Sequence, residues 1–153
     1  MTYYKDSDRI QDAIIPALFR GYLWFLIEES PDIEEDLRPK VDIFNAEINK
    51  AFKGADKSKL NRRLNRVCHK VNDYIKREKF DSRKCFLAIF GWASAVYDAG
   101  GVIIKGDYWE IMLGLKEIVD EGYEKIQDFE KIDGSALKHV EKIHRIIQNE
   151  GYF

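Results

Sequence analysis

Chain-breaking residues are scarce, with three prolines and ten glycines in 153 residues. They fall mostly between periodic segments, so long helices go uninterrupted. There are only two cysteines, Cys68 and Cys85, and neither belongs to a CxxC pattern. The expectation is two reduced, buried thiols.

Histidine is also rare, with three in the chain. His139 and His144 are five apart, roughly 140° around a helix, so they do not converge on one metal. Glu141-Lys142-Ile143-His144 has the Glu-x-x-His spacing of carboxylate-bridged metal bundles, but that chemistry wants two such motifs and the sequence has one. The histidines therefore read as surface residues, and no metal or other cofactor is expected.

GxSxG, HExxH and DxDxDG patterns are missing, and Gly100-Gly101 follows a helix instead of joining a strand to one. Adjacent Cys68 and His69 point apart on a helix and cannot work together as nucleophile and base. The protein is expected not to be an enzyme. An enzyme with a carboxylate or histidine placed in a pocket is the remoter alternative.

One hydrophobic run has the length of a membrane span. "CFLAIFGWASAVYDAGGVII", residues 85–104, carries a single charge, Asp98. Asp98 followed by Ala99, Gly100 and Gly101 reads as a helix end, which lipid would leave unsatisfied. No membrane partner is expected. The opening "MTYYKDSDRIQD" is polar from the start and shows no signal peptide, so the cytoplasm is the expected compartment.

What the chain has in quantity is apolar and charged side chains, 45% and 34%, with 13% aromatic. That suits one domain over residues 1–153 with a sizeable core. No strand alternation persists, and apolar positions recur at helical spacing. The pattern predicts an all-α bundle of about six helices. The first spans 7–29, capped by Ser7 and kinked or split at Pro16. The second, 32–53, follows Ser30-Pro31 and carries Leu37, Val41, Phe44, Ile48 and Phe52, with Pro39 as a possible division. The third spans 57–79, with Leu60, Leu64, Val67, Val71 and Tyr74 facing inward. Helices over 83–98, 107–131 and 135–149 complete the bundle, 83–98 being apolar enough to sit at its centre. Asp107 with Glu110 has capping-box spacing, and Ser135 caps the last helix. "GYLWFL", residues 21–26, holds more apolar surface than one buried stripe requires.

The net charge of −2 conceals strong polarity. Residues 53–85 carry 12 Lys or Arg against 4 Asp or Glu. Residues 107–133 carry 3 against 9, and residues 28–52 carry 3 against 8. On a helix of about 100° per residue, Lys59, Arg62, Arg63, Arg66, Lys70 and Arg77 share one face, which only Asp73 interrupts. Glu110, Glu117, Asp120, Glu121, Glu124 and Asp128 do the same with the opposite sign. These stripes are the candidate partner-binding residues. Solvated faces that partly neutralise each other are the plain reading of such runs. The functional expectation is an interaction protein, a regulator, inhibitor or adaptor, binding a protein partner or a second copy of itself through charged helix faces. Nucleic acid on residues 57–84 is the alternative, although the pI is about 6.0 and that face lacks aromatics to stack bases.

Overall fold

The computed structural model describes residues 5–80, 82–98 and 136–152. Among them the protein is all-α, with no strand. The elements are α1 (Asp6–Glu29), a 3-10 turn (Pro31–Ile33), α2 (Glu34–Ala51), α3 (Lys57–Arg77), α4 (Ser82–Asp98) and α5 (Ala136–Asn149). The helix expected over 107–131 and the caps at Asp107 and Ser135 lie outside the described residues.

α1 is the hub. Every residue from Ala13 to Phe19 is buried, and the helix packs against α2, α3 and α4. A helix apolar on all faces must be covered on all faces, and three neighbours supply the cover. α4, expected at the centre, buries Phe86, Ile89, Trp92 and Ala93. α1 is also long and apolar enough to cross a membrane, a reading the sequence had raised only for 85–104. In the fold, 61% of its most apolar window is buried inside the protein.

Neither proline splits its helix. α1 runs through Pro16 and α2 through Pro39. A proline removes one backbone bond and crowds the preceding turn. Here the flanking turns are fixed by buried Ile15 and Ala17, and by Leu37 and Val41. The start signals also shift. α1 begins at Asp6, one residue before Ser7, and the Lys5 N–H donates to Asp8 Oδ2 at 3.2 Å. Ser30 makes no side-chain cap bond, and the chain takes the 3-10 turn before α2 starts at Glu34.

Arginines tie the first helices together. Arg9 Nη1 donates to the carbonyls of Ala51, at 3.1 Å, and Lys53, at 2.7 Å. It thereby answers orphan acceptors at the end of α2, where a cation also suits the helix dipole. Arg20, the one charge in the apolar middle of α1, donates to Asn45 Oδ1 at 2.8 Å. Near the far end of α1, Arg38 lies 5.6 Å from the ring centre of Trp24. These three contacts follow α2 back along α1, so the two helices run antiparallel.

α3 starts where Asp56 Oδ1 accepts the Lys59 N–H at 3.2 Å. Leu60, Leu64, Val67, Val71 and Tyr74 are all buried, each apolar side chain contributing about 1.5–3 kcal/mol relative to exposure. The helix ends in the left-handed turn that closes many helices. Lys79 N–H donates to Lys76 O at 3.1 Å and Phe80 N–H to Ile75 O at 3.5 Å. Lys79 takes φ 53°, a conformation that favours glycine.

α5 is held between α3 and α4 by its histidines. His139 Nδ1 lies 2.6 Å from Tyr74 Oη, and Phe80 meets the imidazole edge-on at 4.6 Å. His144 Nδ1 accepts the Trp92 indole N–H at 3.1 Å. The two rings thus face different helices, as their spacing implied. His139 is buried, however, which corrects its reading as a surface residue. At Gly91 a Cβ would stand 3.0 Å from Val140 Cγ2, so α4 and α5 approach closely there.

The last residues pack. Gly151, at φ 92°, donates to Gln148 O at 2.9 Å, and Tyr152 N–H donates to Ile147 O at 3.3 Å. This closing turn carries the Tyr152 ring into the core beside Ile147.

Candidate interaction surface

α3 is one continuous helix, so its cations line up. Lys59, Arg62, Arg66, Lys70 and Arg77 are exposed and Arg63 is half-buried, away from the buried apolar stripe. Two carboxylates from opposite ends of the chain meet this face. Asp6 Oδ2, at the start of α1, lies 3.5 Å from Lys59 Nζ and 3.8 Å from Arg63 Nη1. Glu150, just past α5, places Oε2 3.2 Å from Arg66 Nε and pairs through Oε1 with Lys70. Arg63 also donates from Nε to Tyr152 Oη at 2.9 Å and lies 5.5 Å from that ring's centre.

Each carboxylate is therefore shared by two cations. Arg62 and Arg77 have no ion pair among the described residues. Six cations against three carboxylates, Asp6, Glu150 and Asp73 of α3 itself, leave the face positive, even though the internal pairs relieve some like-charge repulsion along the helix. The Asp6 pairs are exposed and contribute only about 0–1 kcal/mol each, so a partner's carboxylates can compete for Lys59 and Arg63, whereas the Glu150 side chain is largely sheltered. The acidic stripe, Glu110, Glu117, Asp120, Glu121, Glu124 and Asp128, lies outside the described residues.

The C-terminal half of α3 forms a ridge between two concavities. On one side, Lys70, Lys76 and Arg77 line an open groove of about 690 Å³ with Asn149 and Glu150. On the other, a cleft of about 400 Å³ runs between α1 and α3. Tyr22, Phe25, Ile75, Phe80 and Ile89 supply its apolar lining, with Trp24 at its edge. Among the described residues Trp24 is the large apolar side chain that stays exposed, at 36%. It belongs to "GYLWFL", the stretch whose apolar excess the sequence had shown.

Little on this surface suggests covalent chemistry. Burial pushes the Cys68 thiol up to about 12, against the Arg20 guanidinium, which pulls it down. At neutral pH it is a protonated packing residue. Among the described residues no three His, Cys, Asp or Glu side chains are grouped to hold a metal.

Sequence reasoning did not find Asp6, Glu150 and Tyr152 as partners of the basic face. Glu150 is 80 residues from Lys70, and no local spacing rule connects positions so far apart. No protein-family model, curated protein or solved structure matches the chain. Its own geometry defines an all-α protein with one strongly basic helix face.

Proposed function

We propose that this chain is a non-enzymatic interaction protein of the cytoplasm, a regulator, inhibitor or adaptor that binds an acidic protein partner through α3. The supporting observation is the charge imbalance on that helix. Six aligned cations meet Asp73 within the row and two carboxylates from outside it, Asp6 and Glu150, among the described residues, and Arg62 and Arg77 stand exposed without an ion pair there. Such a face steers an oppositely charged protein and sets its orientation.

Affinity purification from the native host, with and without nuclease, tests this reading. Arg62→Glu with Arg77→Glu breaks no internal ion pair among the described residues, so the fold should survive. The expected result is a co-purifying acidic protein that resists nuclease and is lost on charge reversal or in high salt. Loss on nuclease treatment, with retention on duplex DNA or RNA at physiological salt, would transfer the face to nucleic acid.

A further inference from the structure

Asp6 and Glu150 hold the basic face in different ways. The Asp6 side chain is 42% exposed and lies 3.5 and 3.8 Å from its two cations, so water and salt screen both contacts. The Glu150 side chain is 11% exposed. It reaches Arg66 Nε at 3.2 Å with one oxygen and Lys70 Nζ with the other, while Arg66 and Lys70 keep 70% and 48% of their own side-chain surface open. Glu150 therefore neutralises the middle of the row from its inner side, and the outer sides of the same cations face solvent.

The chain on each side of Glu150 is anchored. Ile143 and Ile147 of α5 are buried before it. After it the Tyr152 ring is buried, with Tyr152 Oη accepting from Arg63 Nε at 2.9 Å. Between these anchors Gly151 turns the backbone at φ 92°. A Cβ there would meet nothing within 4 Å, so the turn itself calls for glycine and room does not. What stays free to move is the carboxylate. Glu150 lines the open groove between α3 and α5, and a change of rotamer carries its side chain into that groove with the backbone in place. The groove also holds Lys76 and Arg77 against Asp73, so a displaced carboxylate is not left without cations.

We propose that Glu150 makes an autoinhibitory contact, occupying Arg66 and Lys70 until a densely acidic segment of the partner displaces its carboxylate into the groove. The inference rests on the reading of α3 as an acidic-partner surface and names how that surface is regulated. An incoming carboxylate gains little at these two cations while another carboxylate already holds them. A sparsely charged segment therefore engages only the ends of the row, and one with several adjacent carboxylates takes the whole of it. The contact thus selects against weakly acidic partners.

An acidic probe tests it on the full chain. Fluorescein-tagged octaglutamate is titrated by anisotropy at low salt. Glu150→Gln keeps the shape of the side chain and removes its charge. Glu141→Gln is the control, because Glu141 is exposed on α5 and has no ion pair among the described residues. Both variants change the net charge equally. Glu150→Gln should tighten the probe at least about fivefold beyond the control. Arg66→Gln should then weaken the probe strongly in the Glu150→Gln background and little in the native sequence. A merely structural role for Glu150 does not produce that coupling. Equal tightening by the two glutamine variants, or the same loss from Arg66→Gln in both backgrounds, would overturn the autoinhibitory contact. If either result comes with binding that Arg62→Glu and Arg77→Glu abolish, the acidic-partner surface stands without it. If octaglutamate binds neither the native chain nor Glu150→Gln, both readings fall.

Discussion

The Tyr74 hydroxyl and His139 Nδ1 lie 2.6 Å apart in the interior, although 65 residues separate them in the chain. This contact fastens α5 to α3 and so fixes where Glu150 and Tyr152 reach the basic face. A hydrogen bond sheltered from water is costly to break on one side only. Tyr74→Phe keeps the ring and removes the hydroxyl. We expect it to lower unfolding free energy by about 1–3 kcal/mol, read by urea titration. Combined with a histidine substitution the losses should be less than additive.

Close packing of α4 on α5 makes the effect of one methyl group conditional. An exposed helical glycine replaced by alanine gains up to about 1 kcal/mol. At Gly91 the new Cβ would meet Val140 Cγ2 at 3.0 Å. Gly91→Ala alone should therefore fail to stabilise. In a Val140→Ala background the same change should recover the propensity gain, a coupling that a double-mutant cycle measures.

Lys79 offers the opposite case. Replacing a left-handed lysine by glycine relieves backbone strain, offset in part by the looser unfolded chain. Lys79→Gly should raise stability by up to about 1 kcal/mol.

The Cys68 thiol predicts a pH dependence confined to alkaline solution. Burial raises it from 9.0 to about 12. Below about pH 9 the thiol is protonated in both folded and unfolded chains and contributes no slope. Between about 9 and about 12 the unfolded thiol loses its proton while the folded one keeps it, so stability falls as pH rises, by up to ~1.4 kcal/mol per unit. Subtracting the curve for Cys68→Ala from that of the native sequence isolates this contribution. Thiol-reactive reagents should label Cys68 slowly at pH 7.5 unless the chain unfolds.

Much of the helical core was legible because it depends on near neighbours. Leu37, Val41, Phe44, Ile48 and Phe52 in α2, and Leu60 through Tyr74 in α3, were predicted inward by spacing and are buried. A stripe at helical period has one way to leave water, and Asp56 and Gly54 mark the joint between the two helices. The prolines left the choice between a kink and a split open for the same reason. Pro16 and Pro39 break helices by local rules, but burial on both sides outweighs one lost bond. His139 misled because a polar side chain on an apolar face reads as exposed until a distant Tyr74 turns up to receive it.

The sequence by itself determined the all-α class, the inward faces of α2 and α3, and the alignment of six cations on one helix. These follow from residue period and charge alone. Tertiary structure decided which helices α1 packs against, which carboxylates reach the cations, and that a cleft opens beside them between α1 and α3. Those outcomes depend on how separate segments dock, and docking is set by shape and by hydrogen bonds between residues far apart in the chain.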